Sequence, residues 1–231
     1  MTKVKYINPN VLWINQEVTL PLTKSVIDKQ VEAAEIMGRI CYKSEPKGDP
    51  IAFLSRIINR GHESVIEHIN IPAVLLTDRA VTHQLVRHRH AVFSQESQRY
   101  VNYSRKGIIC FTRPQFFNDE KVDPKTIEEF KDTCQNLAEK YVELIQGGLP
   151  PEEARGLLPN CTATVIGVTA NLREWRHIFR MRLDGAAQPQ IRALLLALRQ
   201  KMELKYDLAW AFKDIPVDTN RLHSVPELWA K

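Results

Sequence analysis

Residues 161–182 read CTATVIGVTANLREWRHIFRMR, and this stretch decides the fold class. Residues 161–170 are small or β-branched and read as a buried strand. From 171 to about 183 the period becomes helical. Arg173, His177 and Arg180 then share one face, and Asn171, Ile178 and Arg182 share the other. A further helix is expected over 188–212. Working upstream, Pro150-Pro151-Glu152-Glu153 starts a short helix containing Arg155. A long amphipathic helix spans 125–147 and is closed by Gly147-Gly148, while 90–104 is polar and irregular. Asp78 is a natural N-cap for a helix from 79 to about 88. HINIPAVLLT, 68–77, is a mostly buried strand. Asp49-Pro50 opens a helix that runs through Ile58 and ends at Gly61. Residues 45–49 form a turn, and 23–44 carry Val26, Ile27, Val31, Ala34 and Ile40 at helical spacing.

Long helices around a few strands, without strict β-α-β alternation, indicate α+β. The expected architecture is long helices packed around a small, mostly antiparallel or mixed sheet. No linker divides the chain, so residues 1–231 are expected to form a single domain.

The chain has 231 residues, 32 Lys plus Arg against 27 Asp plus Glu, and 44% apolar residues. That is a globular composition with a mild basic excess, which suits an anionic partner. No apolar run reaches the ~18–20 residues of a membrane span. The N-terminal stretch MTKVKYINPNVLW has no apolar leader core, so a cytoplasmic protein without a membrane partner is expected. The four cysteines, Cys41, Cys110, Cys134 and Cys161, are scattered without a CxxC pair. They read as reduced thiols and argue against zinc or a disulfide framework.

Three segments carry candidate chemistry. The first is Gln84-Leu-Val-Arg87-His88-Arg89, followed by Ser94-Gln95-Glu96-Ser97-Gln98-Arg99-Tyr100. On a helix, Arg87 and Arg89 would point in nearly opposite directions and could serve two ligands, since arginine offers paired donors to phosphate or carboxylate. The second is Gly61-His62-Glu63-Ser64-Val65-Ile66-Glu67-His68. Its histidines stand six apart, where a zinc helix needs four, so no metal is expected. The third is 171–182, where arginines alternate with Trp175 and Phe179. That interleaving also suits RNA, and a basic nucleic-acid-binding protein with no catalysis stays open at this point. No GxGxxG or GxxxxGK[ST] is present, which removes the Rossmann and P-loop phosphate cradles.

Together these blocks resemble the flavin-dependent thymidylate synthase family. The family signature, Arg-His-Arg, seven residues, then Ser, stands here as Arg87-His88-Arg89 through Ser97. GHESVIEH, EEARGLLP and NLREWRHIFRMRLDGAAQPQIR follow the family order, so the likeness covers about residues 60–195. The resemblance implies reductive methylation of dUMP to dTMP, with FAD as cofactor, NADPH as reductant and 5,10-methylenetetrahydrofolate as carbon donor. It implies that Gln84, Arg87, Gln95, Ser97, Arg99, Arg155 and Arg182 meet dUMP. His62, Ser64, Arg87, His88, Arg89, Asn171, Arg173 and His177 would meet FAD. Arg182 would sit against the uracil as the catalytic residue. It also implies a homotetramer with sites shared between chains, and no nucleic-acid partner. Three positions depart from the pattern: Gln95 stands where Glu is frequent, His177 where some members have Asn, and Cys41 where some carry a Ser near FAD.

A rival synthase would use a cysteine nucleophile, for which Cys161 is the candidate. Ser97 lacks an adjacent base and reads better as a phosphate ligand beside Arg99.

Overall fold

The computed structural model describes residues 2–12 and 22–223. The ends of the single-domain reading over 1–231, and the last residue of the N-terminal stretch, lie outside the described residues. Six strands and eight α-helices are present among them: β1 Lys3–Ile7, β2 Asn10–Val11, β3 Asn70–Asp78, β4 Val92–Gln95, β5 Ile108–Thr112 and β6 Ala163–Asn171. The helices are α1 Lys24–Ile40, α2 Pro50–Asn59, α3 Arg79–Leu85, α4 Pro124–Gln146, α5 Pro151–Ala154, α6 Leu172–Arg182, α7 Pro189–Tyr206 and α8 Ala209–Phe212. The fold is α+β, as expected.

β3 and β6 are the spine. They pair antiparallel over nine positions, from Asn70 opposite Asn171 to Asp78 opposite Ala163. Both alternate, and the inward set includes Ile71, Ala73, Leu75, Ile166, Val168 and Ala170. That two-residue period buries one face and leaves the other half-open, as an antiparallel sheet allows. β2 extends this sheet beside β3 and β4 beside β6, giving the order β2-β3-β6-β4 with every neighbour antiparallel. β3-α3-β4 is therefore a crossover that steps over β6. A separate parallel pair joins β1 to β5.

The main core lies between the sheet and α1, α2, α6 and α7, with Trp175, Phe179, Leu194, Leu198 and Phe212 buried in it. Gly38 lets α1 close on α2: a Cβ there would stand 2.9 Å from the Phe53 ring. A smaller core joins α4 to β5 through Ile109, Phe111, Ala138 and Tyr141. Caps match the sequence where a short polar residue precedes the helix. Asp49, Asp78 and Asp123 each accept a backbone N–H of the first turn.

Several local expectations need correction. α1 ends at Ile40 rather than 44, and Cys41–Lys43 form a turn with Lys43 at φ 45°. The helix expected over 188–212 is broken at Asp207, which adopts φ 59°. The apolar pattern runs across the break, because Leu208, Ala211 and Phe212 are also buried, so periodicity alone conceals it. The irregular stretch 90–104 contains β4, which a four-residue strand with exposed Val92 does not advertise.

Candidate active site

α6 is built to present a site. Asn171 caps it by accepting the Glu174 N–H at 2.8 Å. Trp175, Ile178 and Phe179 anchor it in the core, and the Trp175 indole N–H donates to the Ile71 carbonyl at 2.9 Å. Arg173, His177 and Arg180 stay on the exposed face, as the helical period requires. Arg176 does not join them. It is fully buried, and its guanidinium donates to Glu63 at 3.0 Å, to both oxygens of Asp214 at 2.9 and 2.8 Å, and to the Ala211 carbonyl. Glu63 also accepts from Arg180 at 2.6 Å. The Arg176 bond holds the Asp214 carboxyl down to about 2. Burial pushes Glu63 upward, but the bonds from Arg180 and Arg176 outweigh it and leave its pKa lowered. Glu63 stands between His62 and Ser64, both exposed, so this network fastens that loop to α6.

The Arg-His-Arg motif is not helical. α3 ends at Leu85, and Arg87–His90 make tight turns, with the His88 N–H donating to the Leu85 carbonyl at 3.0 Å and the Ala91 N–H to the His88 carbonyl at 3.1 Å. Arg87 and Arg89 are therefore not set on opposite sides of a helix, the arrangement expected from the sequence. The turn instead aims His88 inward, 6% exposed, and leaves Arg87 and Arg89 outside.

His88 is the hub of the site. Its Nε2 accepts from Arg182 Nε at 3.0 Å, its Nδ1 stands 3.7 Å from Glu174 Oε1, and its ring meets His177 edge-on at 5.5 Å. A second guanidinium nitrogen of Arg182 donates to the Gln84 carbonyl at 3.1 Å. Burial, then the charge of Arg182 and the neighbouring His177, lower the His88 pKa to about 4, so the ring is neutral at pH 7. Opposite placement on α6 thus fails to separate Arg182 from His177, because His88 bridges them from another segment. His88, Glu174 and His177 offer ligand atoms within 4.8 Å of one another. With an arginine already bonded to His88, whose charge opposes a cation, we read this trio as an oriented imidazole pair.

A polar cavity of about 500 Å³ opens beside this hub, where Arg173, Arg180 and His177 face the carboxylates of Glu63, Glu67 and Glu174. Two roomier cavities, about 650 Å³ beside Tyr103 and Thr164 and about 540 Å³ beside Cys134 and Gln190, are mainly apolar and are lined by none of the residues expected at dUMP or FAD. Asn171, Arg173 and His177, expected at the flavin, line the smaller one.

The other expected nucleotide residues gather elsewhere. Arg99 pairs with Glu152 at 3.3 Å, and Arg155 Nε donates to the Glu152 carbonyl at 3.2 Å. The Ser97 hydroxyl accepts from the Arg99 N–H at 3.3 Å. Among the described residues, no hydrogen bond or ion pair joins this group to His88 or Arg182. Gln95 uses its amide nitrogen on Thr82 and Thr164, at 3.0 and 3.4 Å. Gln84 donates to Gln188 at 2.6 Å. The cysteines are not all isolated: Cys134 and Cys161 sulfurs lie 3.8 Å apart, a contact between residues 27 apart in sequence. Glu174 and Glu63 were not singled out from the sequence as site residues. The i, i+3 spacing of Glu174 to His177 was the available signal.

A buried neutral imidazole, a bonded guanidinium and an open polar cavity lined by both arginines and carboxylates, on an α+β scaffold with no glycine-rich phosphate loop, are the features of a ligand-binding enzyme site. Residues 25–206 match the family model described as thymidylate synthase complementing protein, and the chain belongs to that family. A flavin-dependent thymidylate synthase of Geobacter sulfurreducens is 37% identical over 176 residues, which are 72% of this chain and 74% of that relative. One from Pyrococcus abyssi is 36% identical over 169 residues, 71% of this chain and 68% of the relative. A probable flavin-dependent thymidylate synthase of Mycobacterium phage D29 is 34% identical over 202 residues, 81% and 84% respectively.

Proposed function

We infer that the hub around His88 and the adjoining cavity form the flavin side of a thymidylate synthase site. The chain is a flavin-dependent thymidylate synthase, and its substrate is dUMP, methylated to dTMP. We further propose FAD as the flavin, NADPH as reductant and 5,10-methylenetetrahydrofolate as carbon donor. The single observation that carries the site is the His88–Arg182 bond. It brings an arginine expected at the uracil against two histidines, His88 and His177, expected at the flavin.

The donor set fits such a ligand. Arg173 is half exposed and, among the described residues, paired only with Glu67. An exposed pair of this kind is worth little and yields readily to a pyrophosphate. Arg87 and Arg89 face solvent beside the hub and add positive charge. When bound, the flavin supplies the hydride chemistry. Asn171, Arg173, His177 and the His62–Ser64 loop orient it, while neutral His88 and the Arg87 and Arg89 guanidinium groups flank it. Arg182 has five N–H donors and uses two on His88 and Gln84. The remaining three are available to hold negative charge on the uracil, an effect typically worth ~3–4 kcal/mol for one fixed donor. Ser97, Arg99 and Arg155, with Gln84, Arg87 and Gln95, hold the nucleotide. Because no hydrogen bond or ion pair among the described residues joins Ser97, Arg99 or Arg155 to the hub within one chain, we propose a homotetramer with shared sites. The chain acts as one domain. No helix among the described residues is long and apolar enough to cross a membrane, and we place the enzyme in the cytoplasm.

The test is the absorbance spectrum of the purified protein, expected to show a flavin band near ~450 nm, with FAD released on denaturation. A colourless protein that ignores added FAD but binds RNA with a steep salt slope would return the nucleic-acid reading.

A further inference from the structure

We propose that Glu174 is a positioning residue for Arg182 and acts through His88: the carboxylate selects the tautomer of the imidazole, and the imidazole fixes the plane of the guanidinium. The functional weight of this inference rests on the reading above that Arg182 meets the substrate.

Arginine has no acceptor and does not lose its proton in a protein. His88 Nε2, 3.0 Å from Arg182 Nε, must therefore be the unprotonated, accepting nitrogen. The proton of the neutral ring then resides on Nδ1. The group facing Nδ1 is Glu174 Oε1 at 3.7 Å, inside ion-pair range and a few tenths of an ångström beyond a hydrogen bond. That oxygen is buried and has no hydrogen-bond partner among the described residues. Glu174 as a whole is 7% exposed. A buried acceptor left unpaired is costly, and Nδ1–H is the donor set before it. The remaining group against the ring is His177, which meets it edge-on. The alternative tautomer would turn an Nε2–H toward the Arg182 N–H and break the contact. Protonation of the ring would do the same, in keeping with the depressed pKa of His88.

The geometry has a mechanical consequence. Glu174 and Arg182 are eight residues apart on α6, about 12 Å along its axis. Neither can steer the other directly, and the imidazole spans the gap. With Nε held by His88 and one Nη2 hydrogen by the Gln84 carbonyl, one edge of the guanidinium is clamped and the other is free.

The test uses protein labelled with ¹⁵N-histidine. His88 is assigned by the signal lost in His88→Gln, and tautomers are read from long-range ¹H–¹⁵N spectra at pH 7. Wild type is expected to show a pyrrole-type Nδ1 and a pyridine-type Nε2 for His88. The opposite assignment overturns the proposal without reference to activity or to the folding of any variant. Glu174→Gln keeps an acceptor oxygen and should keep the tautomer. Glu174→Leu should shift the population toward Nε2–H and lower kcat roughly ten- to a hundredfold, the scale on which histidine-orienting partners act, with KM for dUMP within about threefold. An unchanged tautomer or unchanged kcat in Glu174→Leu would refute the linkage. If the wild-type tautomer is as stated but the protein neither binds flavin nor makes dTMP, the functional reading fails and the geometric one stands.

Discussion

Replacing Glu63 by Gln tests whether the buried arginine network holds the flavin-side loop. Arg176 is 1% exposed at its side chain and Glu63 16%. Removing one partner of a buried ion pair typically costs 3–5 kcal/mol. Two features reduce that here. Arg176 keeps Asp214 and the Ala211 carbonyl, and Gln keeps an oxygen that can accept from Arg176 or Arg180. We therefore expect a loss of about 2 kcal/mol. For a chain of this size that lowers Tm by about 4–8 °C. Asp214→Asn, at a side chain 42% exposed, should cost less, about 1 kcal/mol. The double variant should exceed the sum, because Arg176 is then buried without an anion. Both carboxyls are depressed in the folded state. Their stabilisation is thus present above the ordinary carboxylate range and lost as pH falls through the folded values, about 2 for Asp214. The gap between wild type and Glu63→Gln should accordingly close as pH falls below the ordinary carboxylate range and through the lowered Glu63 value. Thermal unfolding by circular dichroism, with flavin affinity measured by fluorescence titration, reads both effects. A Tm within 1 °C of wild type at pH 7, or flavin affinity unchanged alongside a lowered Tm, would refute the claim that this network fastens the His62–Ser64 loop.

Arg182→Ala should lower turnover on the order of a hundredfold, and Arg182→Lys should not restore it, since lysine lacks the planar fork. Because Arg182 bonds His88, flavin affinity should fall too; turnover within a few-fold of wild type would remove Arg182 from the chemistry. Replacing all four cysteines by Ser or Ala should leave dTMP formation within roughly tenfold, the loss coming from the packed Cys134–Cys161 contact; complete inactivity of a folded Cys161→Ala protein would restore the cysteine-nucleophile reading. Arg99→Ala and Arg182→Ala should rescue each other in part when unfolded together and refolded, because a shared site can draw its two arginines from different chains. No rescue despite subunit exchange, followed with a tag, would place both arginines of a site on one chain.

Much was legible in the linear chain because it depends on near neighbours. The apolar run HINIPAVLLT and the β-branched run CTATVIGVTA specify strands, and Asp49-Pro50 and Asp78 specify helix starts, since a cap acts within one turn. The exposed row Arg173, His177 and Arg180 follows from the helical period alone. The ordered motif blocks likewise named the family without reference to tertiary contacts. Tertiary structure decided what those rules cannot reach. Arg87–Arg89 lie in a turn, where a helical angle between them has no meaning. Arg176 reads as one more surface cation, yet it is buried because Glu63 and Asp214, 113 and 38 residues away, compensate its charge. β1 and β5 pair across about a hundred residues, a register that no local pattern encodes. The His88–Arg182 bond spans 94 residues. Spacing could nominate both side chains, but the tautomer of one and the orientation of the other arise only when the turn after α3 is brought against α6 by the pairing of Val92 in β4 with Thr169 in β6, where burial makes each hydrogen bond consequential.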